Sequence, residues 1–227
     1  MNGLAEMLSK YDVLGAFWVT IQLTFWSALG SLILGTIVAV MRVSPVKLLR
    51  AAAATYTSIV LNTPLTLVVF FFAFGVYIKM NVTLAPASEP TSVHNYIWGI
   101  VGLSVYHSTL VAESLRSGIN TVPKGQAEAA RAIGLDFSQS LREVILPQAF
   151  RGSIAPLGNT MIALSKNTTV CATISVAEAS YLMKGMIEEY ANLLYIIFVI
   201  MATGFVIITL PMGILFTYLS RRMAVQR

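Results

Sequence analysis

The sequence predicts an all-α integral membrane protein, a bundle of five spans joined by short loops, and three observations carry the prediction. Apolar types make up 56% of the 227 residues and charged types only 11%, at a mean hydropathy of +0.75, far from the balance of a soluble domain. Residues 13–41, 51–78, 96–115, 154–176 and 193–219 form stretches long enough for a hydrocarbon core, which needs about 20 helical residues. Third, the basic residues alternate in a way that gives the chain two distinct ends. Residues 1–227 are read as a single transmembrane domain, with no length left for a second globular one.

The first stretch begins near Val13, behind Glu6 and Asp12, and runs about twice as long as a signal-peptide core of roughly 7 to 15 residues, so it reads as a retained span. The second holds Asn62-Thr63-Pro64 in its middle, where proline removes a backbone hydrogen bond. A segment rich in Pro86, Ser88, Pro90 and Ser92 follows and reads as a loop over residues 79–95. The third stretch carries His107 beside Tyr106 and ends in Glu113 and Arg116. The fourth carries Lys166-Asn167-Thr168-Thr169, and the fifth is the most uniformly apolar. Cys171 is the sole cysteine, which excludes a disulfide within the chain.

Eleven basic residues fall on one side of this topology: Arg42, Lys47, Arg50, Arg116, Lys124, Arg131, Arg142, Arg151, Arg221, Arg222 and Arg227. The other side has Lys10, Lys79 and Lys184 against the acids Glu6, Asp12, Glu89, Glu178, Glu188 and Glu189. The positive-inside bias makes the first side cytoplasmic, with the amino terminus outside and the carboxyl terminus inside. Topology and anionic lipid account for the net charge of +5 without any nucleic-acid partner. Of these acids, Glu178, Glu188 and Glu189 read as a solvated loop in preference to a docking surface.

The largest charged interruption, about residues 121–150, reads as a helical hairpin in water. Pro123 suits a helix start, and Ala127 to Ile133 are mostly strong helix formers. Gly134 supplies a left-handed residue to end that helix, Ser138 is placed to cap a second, and Leu141, Val144 and Ile145 form its apolar stripe before Pro147 breaks it. Such an amphipathic element fits a groove on another protein.

Glu128-Ala129-Ala130, then Gly134, then Ile145-Leu146-Pro147, in that order and spacing, resembles the cytoplasmic coupling signature of the membrane subunits of bacterial binding-protein-dependent ABC importers. The flanks Arg116-Ser117-Gly118-Ile119, Pro156-Leu157-Gly158-Asn159 and Lys166-Asn167-Thr168-Thr169 extend the likeness to the polar amino acid permease branch, over nearly the whole chain. Residues 41–47, 62–67, 112–121 and 210–213 resemble the actinobacterial glutamate importer permeases. The resemblance implies the type I ABC importer permease fold, residence in the bacterial plasma membrane, and a coupling hairpin that docks in a cleft of a separate ATPase dimer. ATP and Mg would sit on that partner. A second permease chain, in a heterodimer before a homodimer, and a lipid-anchored extracellular binding protein complete the implied assembly. Glutamate is the implied substrate, with glutamine and aspartate next.

The chain has no phosphate-cradling Gly-x-x-x-x-Gly-Lys loop, no metal-ligand spacing and no nucleophile–base set, so no catalytic or metal-binding residue is assigned and ATP hydrolysis is expected elsewhere. Polar groups at membrane depth mark the candidate substrate path: Asn62, Thr63, Pro64, His107, Lys166, Asn167 and Thr168. Pro64 is open to a purely structural reading, and His107 reads as a satisfied packing residue. Lys166 has three roles open to it: pairing with Glu113, snorkelling, or meeting a substrate carboxylate. The resemblance favours the pair, because relatives with other substrates carry a lysine there. Glu113 and Arg116 read as a gate or brace. A proton-coupled secondary transporter using Glu113, Lys166 and His107 as a relay is the alternative class.

Overall fold

A computed structural model of the chain describes residues 2–223; Arg227, counted above on the basic side, lies outside them. Helices α1 (Asn2–Lys10) and α2 (Val13–Val43) meet at Asp12, whose carboxylate caps α2 by accepting from the Gly15 amide at 2.8 Å. Helix α3 (Lys47–Leu61) is followed after three residues by α4 (Leu65–Phe70), which continues as π-helical turns over Phe71–Lys79. Helix α5 (Thr91–Asn120) starts directly behind Pro90, five residues earlier than its apolar run suggests. The hairpin comprises α6 (Lys124–Ala132), α7 (Phe137–Gln139) and π-helical turns over Ser140–Ile145, and α8 (Leu146–Asn167) follows without a break. A 3-10 segment (Thr168–Ile174), α9 (Ala179–Glu189) and α10 (Leu194–Met223) complete the chain.

Helix α5 lies at the centre, between α2 and α8. It runs parallel to α2 in close contact: a Cβ added at Gly35 would lie 2.6 Å from the Ser108 carbonyl and from Val111. It runs antiparallel to α8, with Gly118 opposite Ala149 and Ser153 at one end and His107 opposite Asn167 midway. Helix α10 is antiparallel to α8, placing Phe216 against Gly158. The ends of α2, α5 and α10 therefore lie with the start of α8 and the hairpin, so Arg42, Arg116, Arg151, Arg221 and Arg222 gather at one end of the bundle.

Among the described residues, two helical stretches are long and apolar enough to cross a membrane alone, Val13–Val43 and Ala191–Met223, and the bent pair α3 and α4 with its π-helical extension would make a third. Helices α5 and α8 fall short for a physical reason. They are the inner helices, and they turn Ser104, His107, Ser108, Thr109, Ser114, Ser153, Thr160 and Ser165 into the bundle, where hydroxyls bond back to helix carbonyls. Outer helices carry the apolar surface instead, with Ile207, Ile214, Phe198 and Tyr195 of α10 all more than half exposed.

Three expectations are refined or corrected. The stretch 51–78, interrupted at Pro64, is sharply bent, its halves meeting at 105°. Pro64 offers no amide and disfavours α geometry at Thr63, while the Asn62 amide and Thr63 hydroxyl donate back to the Ser58 and Ile59 carbonyls at 2.8 Å, closing α3 off. The stretch 154–176 is helical from Leu146, and its last part tightens to 3-10 geometry that ends at Ser175 in the left-handed region, φ 60°. Finally, Pro147 does not break the second hairpin helix. The preceding turns are π-helical, with the Leu146 amide donating to the Leu141 carbonyl five residues back, and this shifted register leaves room for a proline near the start of α8.

Candidate functional site

The hairpin is organised by two local devices. Gly134 has φ +90° in open space, so it reverses the chain where any side chain would be strained. Asp136, not Ser138, caps the second arm: its carboxylate accepts from the Gln139 amide at 2.8 Å while Gln139 Oε1 accepts from the Asp136 amide at 3.0 Å. Ala130 is buried between the arms, whereas Glu128, Ala129, Arg131 and Ala132 face outward. Beside them stand Ile133, 78% exposed, and Phe137, 56% exposed. These apolar side chains on either side of Gly134 were not singled out from the sequence, where the stripe Leu141, Val144 and Ile145 is the visible signal. That stripe is half-buried toward the bundle, and Leu146 and Pro147 stand exposed at the root.

The root of the hairpin is joined to the bundle through backbone. A Cβ at Gly118 would overlap the Ala149 carbonyl and the Ser153 hydroxyl, and one at Gly152 would overlap the Thr121 hydroxyl. Besides backbone, only the short Ser153 and Thr121 side chains lie between α5 and α8 at this crossing, so there is little room for one to slide on the other without lifting away.

Midway along the bundle, the buried His107 ring is bonded on both sides. Its Nδ1–H donates to the Leu103 carbonyl at 2.9 Å, leaving Nε2 to accept from Asn167 Nδ2–H at 3.1 Å, an arrangement that defines the neutral tautomer. Thr168 is fully buried and donates to the Ser165 carbonyl. Lys166 is exposed at this depth, and no acidic group pairs with it among the described residues. The Lys166–Glu113 pair is therefore absent. Glu113 lies lower on α5, where it takes Arg116 at 2.5 and 2.8 Å and Arg42 of α2 at 3.3 Å, its negative charge already matched. Arg42 is the member of this brace that the sequence did not single out, and its only signal there is a charge at the end of an apolar run. Asn62 and Pro64 are exposed at the bend, and α4, launched by that bend, packs on the 3-10 segment following Lys166-Asn167-Thr168. No hydrogen bond joins Asn62 or Thr63 to residues 166–168.

At the other end, Glu178 is fully buried and caps α9, accepting from the Ser180 and Tyr181 amides at 2.9 Å. Burial pushes its carboxyl up to about 7, against the pull of those amides and Lys184. It is thus neither a solvated loop acid nor a docking group. Glu189 forms an ion pair with Lys10 and accepts from the Tyr11 hydroxyl at 2.9 Å, clasping α1 to α9, and Glu188 remains exposed.

Comparison with known proteins places this geometry in a family. Residues 31–225 match the family described as binding-protein-dependent transport system inner membrane component. The chain is 55% identical to the glutamate transport system permease protein GluC of Corynebacterium efficiens, covering 95% of this chain and 96% of that one. It is 30% identical to a probable glutamine ABC transporter permease protein, GlnM, of Bacillus subtilis, over 97% of this chain and 96% of that one. The fold superposes on a chain from the crystal structure of an amino acid ABC transporter with histidines at a TM-score of 0.80 and 25% identity, covering 92% of this chain and 93% of that chain. It also superposes on a chain of the inward-facing MetNI methionine ABC transporter at 0.72, with 18% identity, over 99% of this chain and 100% of that chain. The all-helical fold is thus that of a type I ABC permease, and the chain belongs to the family of inner membrane components of binding-protein-dependent transport systems, a translocation subunit and not a catalytic one.

Proposed function

We propose that this chain forms the translocation path of an ATP-driven importer that takes glutamate from an extracellular binding protein. The observation that carries the reading is mechanical: an exposed hairpin continuous with α8 and locked to α5 at Gly118 and Gly152. A partner seated on Glu128, Ala129, Gly134, Ile133 and Phe137 moves both inner helices together. Ala130 holds the hairpin arms in contact, and Ile145-Leu146-Pro147 fix the phase of the hairpin on α8. The partner of this reading is an ATPase dimer that holds ATP and Mg and closes on the nucleotide. The path lies between this chain and a second, related permease chain, with a binding lipoprotein docking at the opposite end. Five spans, with the amino terminus outside and the hairpin cytoplasmic, agree with the gathering of basic residues at the hairpin end.

Lys166 supports the substrate assignment. A charge facing lipid at the centre of a helix costs about 2.5 to 3.5 kcal/mol on insertion scales, and Lys166 stands level with His107, midway along α5, with no acidic partner among the described residues. In the assembled transporter it faces the path, where its ammonium meets a substrate carboxylate. Asn167 orients it through His107, and Thr168 and the Asn62-Thr63-Pro64 bend shape the neighbouring wall. Glu113 and Arg116, with Arg42, brace the inner half of the path. Glutamate is preferred because the Corynebacterium relatives that carry that name match nearly the full length of both chains. Proteoliposomes holding the complete transporter test the reading. ATP-dependent uptake of labelled glutamate, unaffected by excess glutamine, is expected, and uptake driven by a proton gradient without ATP would overturn it.

A further inference from the structure

We infer that Asn159 of α8 and Arg221 of α10 form an inner station in the translocation path, where the carboxylate of an incoming amino acid is held between Lys166 and the cytoplasm. The inference rests on the reading that Lys166 faces the path, and it extends that path to the hairpin end of the bundle. Ala155, Asn159, Ile162 and Lys166 follow one another at helical spacing, so they share one face of α8. Between this face and α10 lie a groove of about 600 Å³ and, beside it, a cleft of about 280 Å³ that Asn159 and Arg221 line together. Asn159, Thr217, Ser220 and Arg221 give the cleft an amide, two hydroxyls and a guanidinium, and neither lining contains an acid. A fixed cation with neutral donors beside it is the chemistry of a carboxylate site.

The antiparallel helices aim the two side chains at each other. Phe216 of α10 packs on Gly158 of α8, which fixes their relative height. Side chains on a helix lean toward its amino terminus. Arg221, in the last turn of α10, therefore reaches back along the groove toward the middle of the bundle, while Asn159 leans along α8 toward the hairpin end and so toward Arg221. At 1.5 Å per residue, Asn159 lies about 10 Å of helix from Lys166, and Arg221 about 10 Å farther on. Lys166, Asn159 and Arg221 thus mark three levels of one groove, and a carboxylate leaving the Lys166 ammonium meets its next donors before it reaches water. Arg221 pairs with no acid among the described residues, in contrast to Arg42 and Arg116, which share Glu113. Asn159 is exposed; turned to lipid its amide would go without a hydrogen-bond partner, whereas a water-filled path satisfies it.

The test places a reporter, Thr217→Cys, on the wall shared by groove and cleft, in the assembled transporter held without nucleotide in inside-out vesicles. Native Cys171 is buried and stays silent. A membrane-impermeant thiosulfonate added from the cytoplasmic face should label the Thr217→Cys chain, read by its mass, and glutamate added with it should slow that labelling. Arg221→Gln should raise the glutamate concentration for half-protection at least about tenfold and Asn159→Leu about fivefold, the losses of a charge-assisted and of a neutral hydrogen bond. Arg221→Lys, which keeps the charge, should retain most of the protection, and Arg222→Gln, whose side chain does not line the cleft, should retain all of it. Protection by glutamine in place of glutamate, still lost in Arg221→Gln, would support the station while contradicting glutamate as the cargo. A reporter that does not react, labelling that neither amino acid slows, or protection undiminished in Arg221→Gln would overturn the station.

Discussion

The two ends of the bundle are held together by different kinds of contact. At the hairpin end, Gly118 and Gly152 bring α5 and α8 to backbone distance, so any displacement of one helix is imposed on the other. At the opposite end, α1, α9 and α10 meet through side chains that can give: Met7, Met186 and Met201 in a shared apolar cluster, the Lys10–Glu189 ion pair, and the Glu178 cap. Methionine packing adapts readily, and an exposed ion pair holds weakly. The contrast fits the proposed function, in which the hairpin end transmits and the other end accommodates.

The largest effect should come from converting the stiff end into a yielding one. Gly118→Leu places a side chain where the Ala149 carbonyl and Ser153 lie, so the crossing must open at a cost of about 1 to 3 kcal/mol or more. Stimulation of ATP hydrolysis by loaded binding protein should fall at least about tenfold, the equivalent of 1.4 kcal/mol in coupling, with the assembly still recoverable by size-exclusion chromatography. If stimulation survives, the joint is not what transmits.

For function, the pH response of the yielding end ranks second, because it acts on stability and leaves coupling in place. The Glu178 carboxyl sits above its ordinary value of 4.5, at about 7, so its contribution is fully present below about pH 4.5 and is lost as pH rises through about 7, on the order of 3 kcal/mol in all. Glu178→Gln should flatten the dependence of thermal stability on pH across that window, leaving hairpin coupling intact. An unchanged pH profile would separate Glu178 from the response.

Next, Lys166→Gln should raise the substrate concentration for half-maximal uptake by about tenfold, the loss of one charge-assisted contact, while basal ATP hydrolysis is unaltered. The smallest effect belongs to Lys10→Gln. It breaks an exposed, solvent-screened ion pair with Glu189, and should leave the melting temperature almost unchanged.

The fold was legible where residue type reports lipid or water. The apolar runs of α2 and α10, the charged hairpin and the turn at Gly134 could all be read directly. One failure comes from hydrogen bonding that skips the usual register. Pro147 looked like a stop because a proline in an ordinary helix removes a bond, and nothing in the residues near Leu141 announces the π-helical turns that accept it. The bend at Asn62-Thr63-Pro64 was visible as an interruption, but its 105° angle was not. Site residues failed where pairing is three-dimensional. Of the three roles open to Lys166, the pair with Glu113 does not form, because α2 supplies Arg42 at the same level and Arg116, read with Glu113 as a gate or brace, lies one turn away, so the acid is already satisfied. Glu178 looked solvated because a glutamate beside a short helix usually is, and burial of the α9 start is invisible in sequence.

The central claim, that the hairpin carries the signal of the nucleotide-bound partner into α5 and α8, is tested most directly by ATP hydrolysis of the purified complex in nanodiscs with and without glutamate-loaded binding protein. Glu128→Ala combined with Gly134→Pro removes the exposed acid and the φ +90° turn together. Stimulation should disappear while the complex remains assembled. Full stimulation in an assembled complex carrying both changes would contradict it.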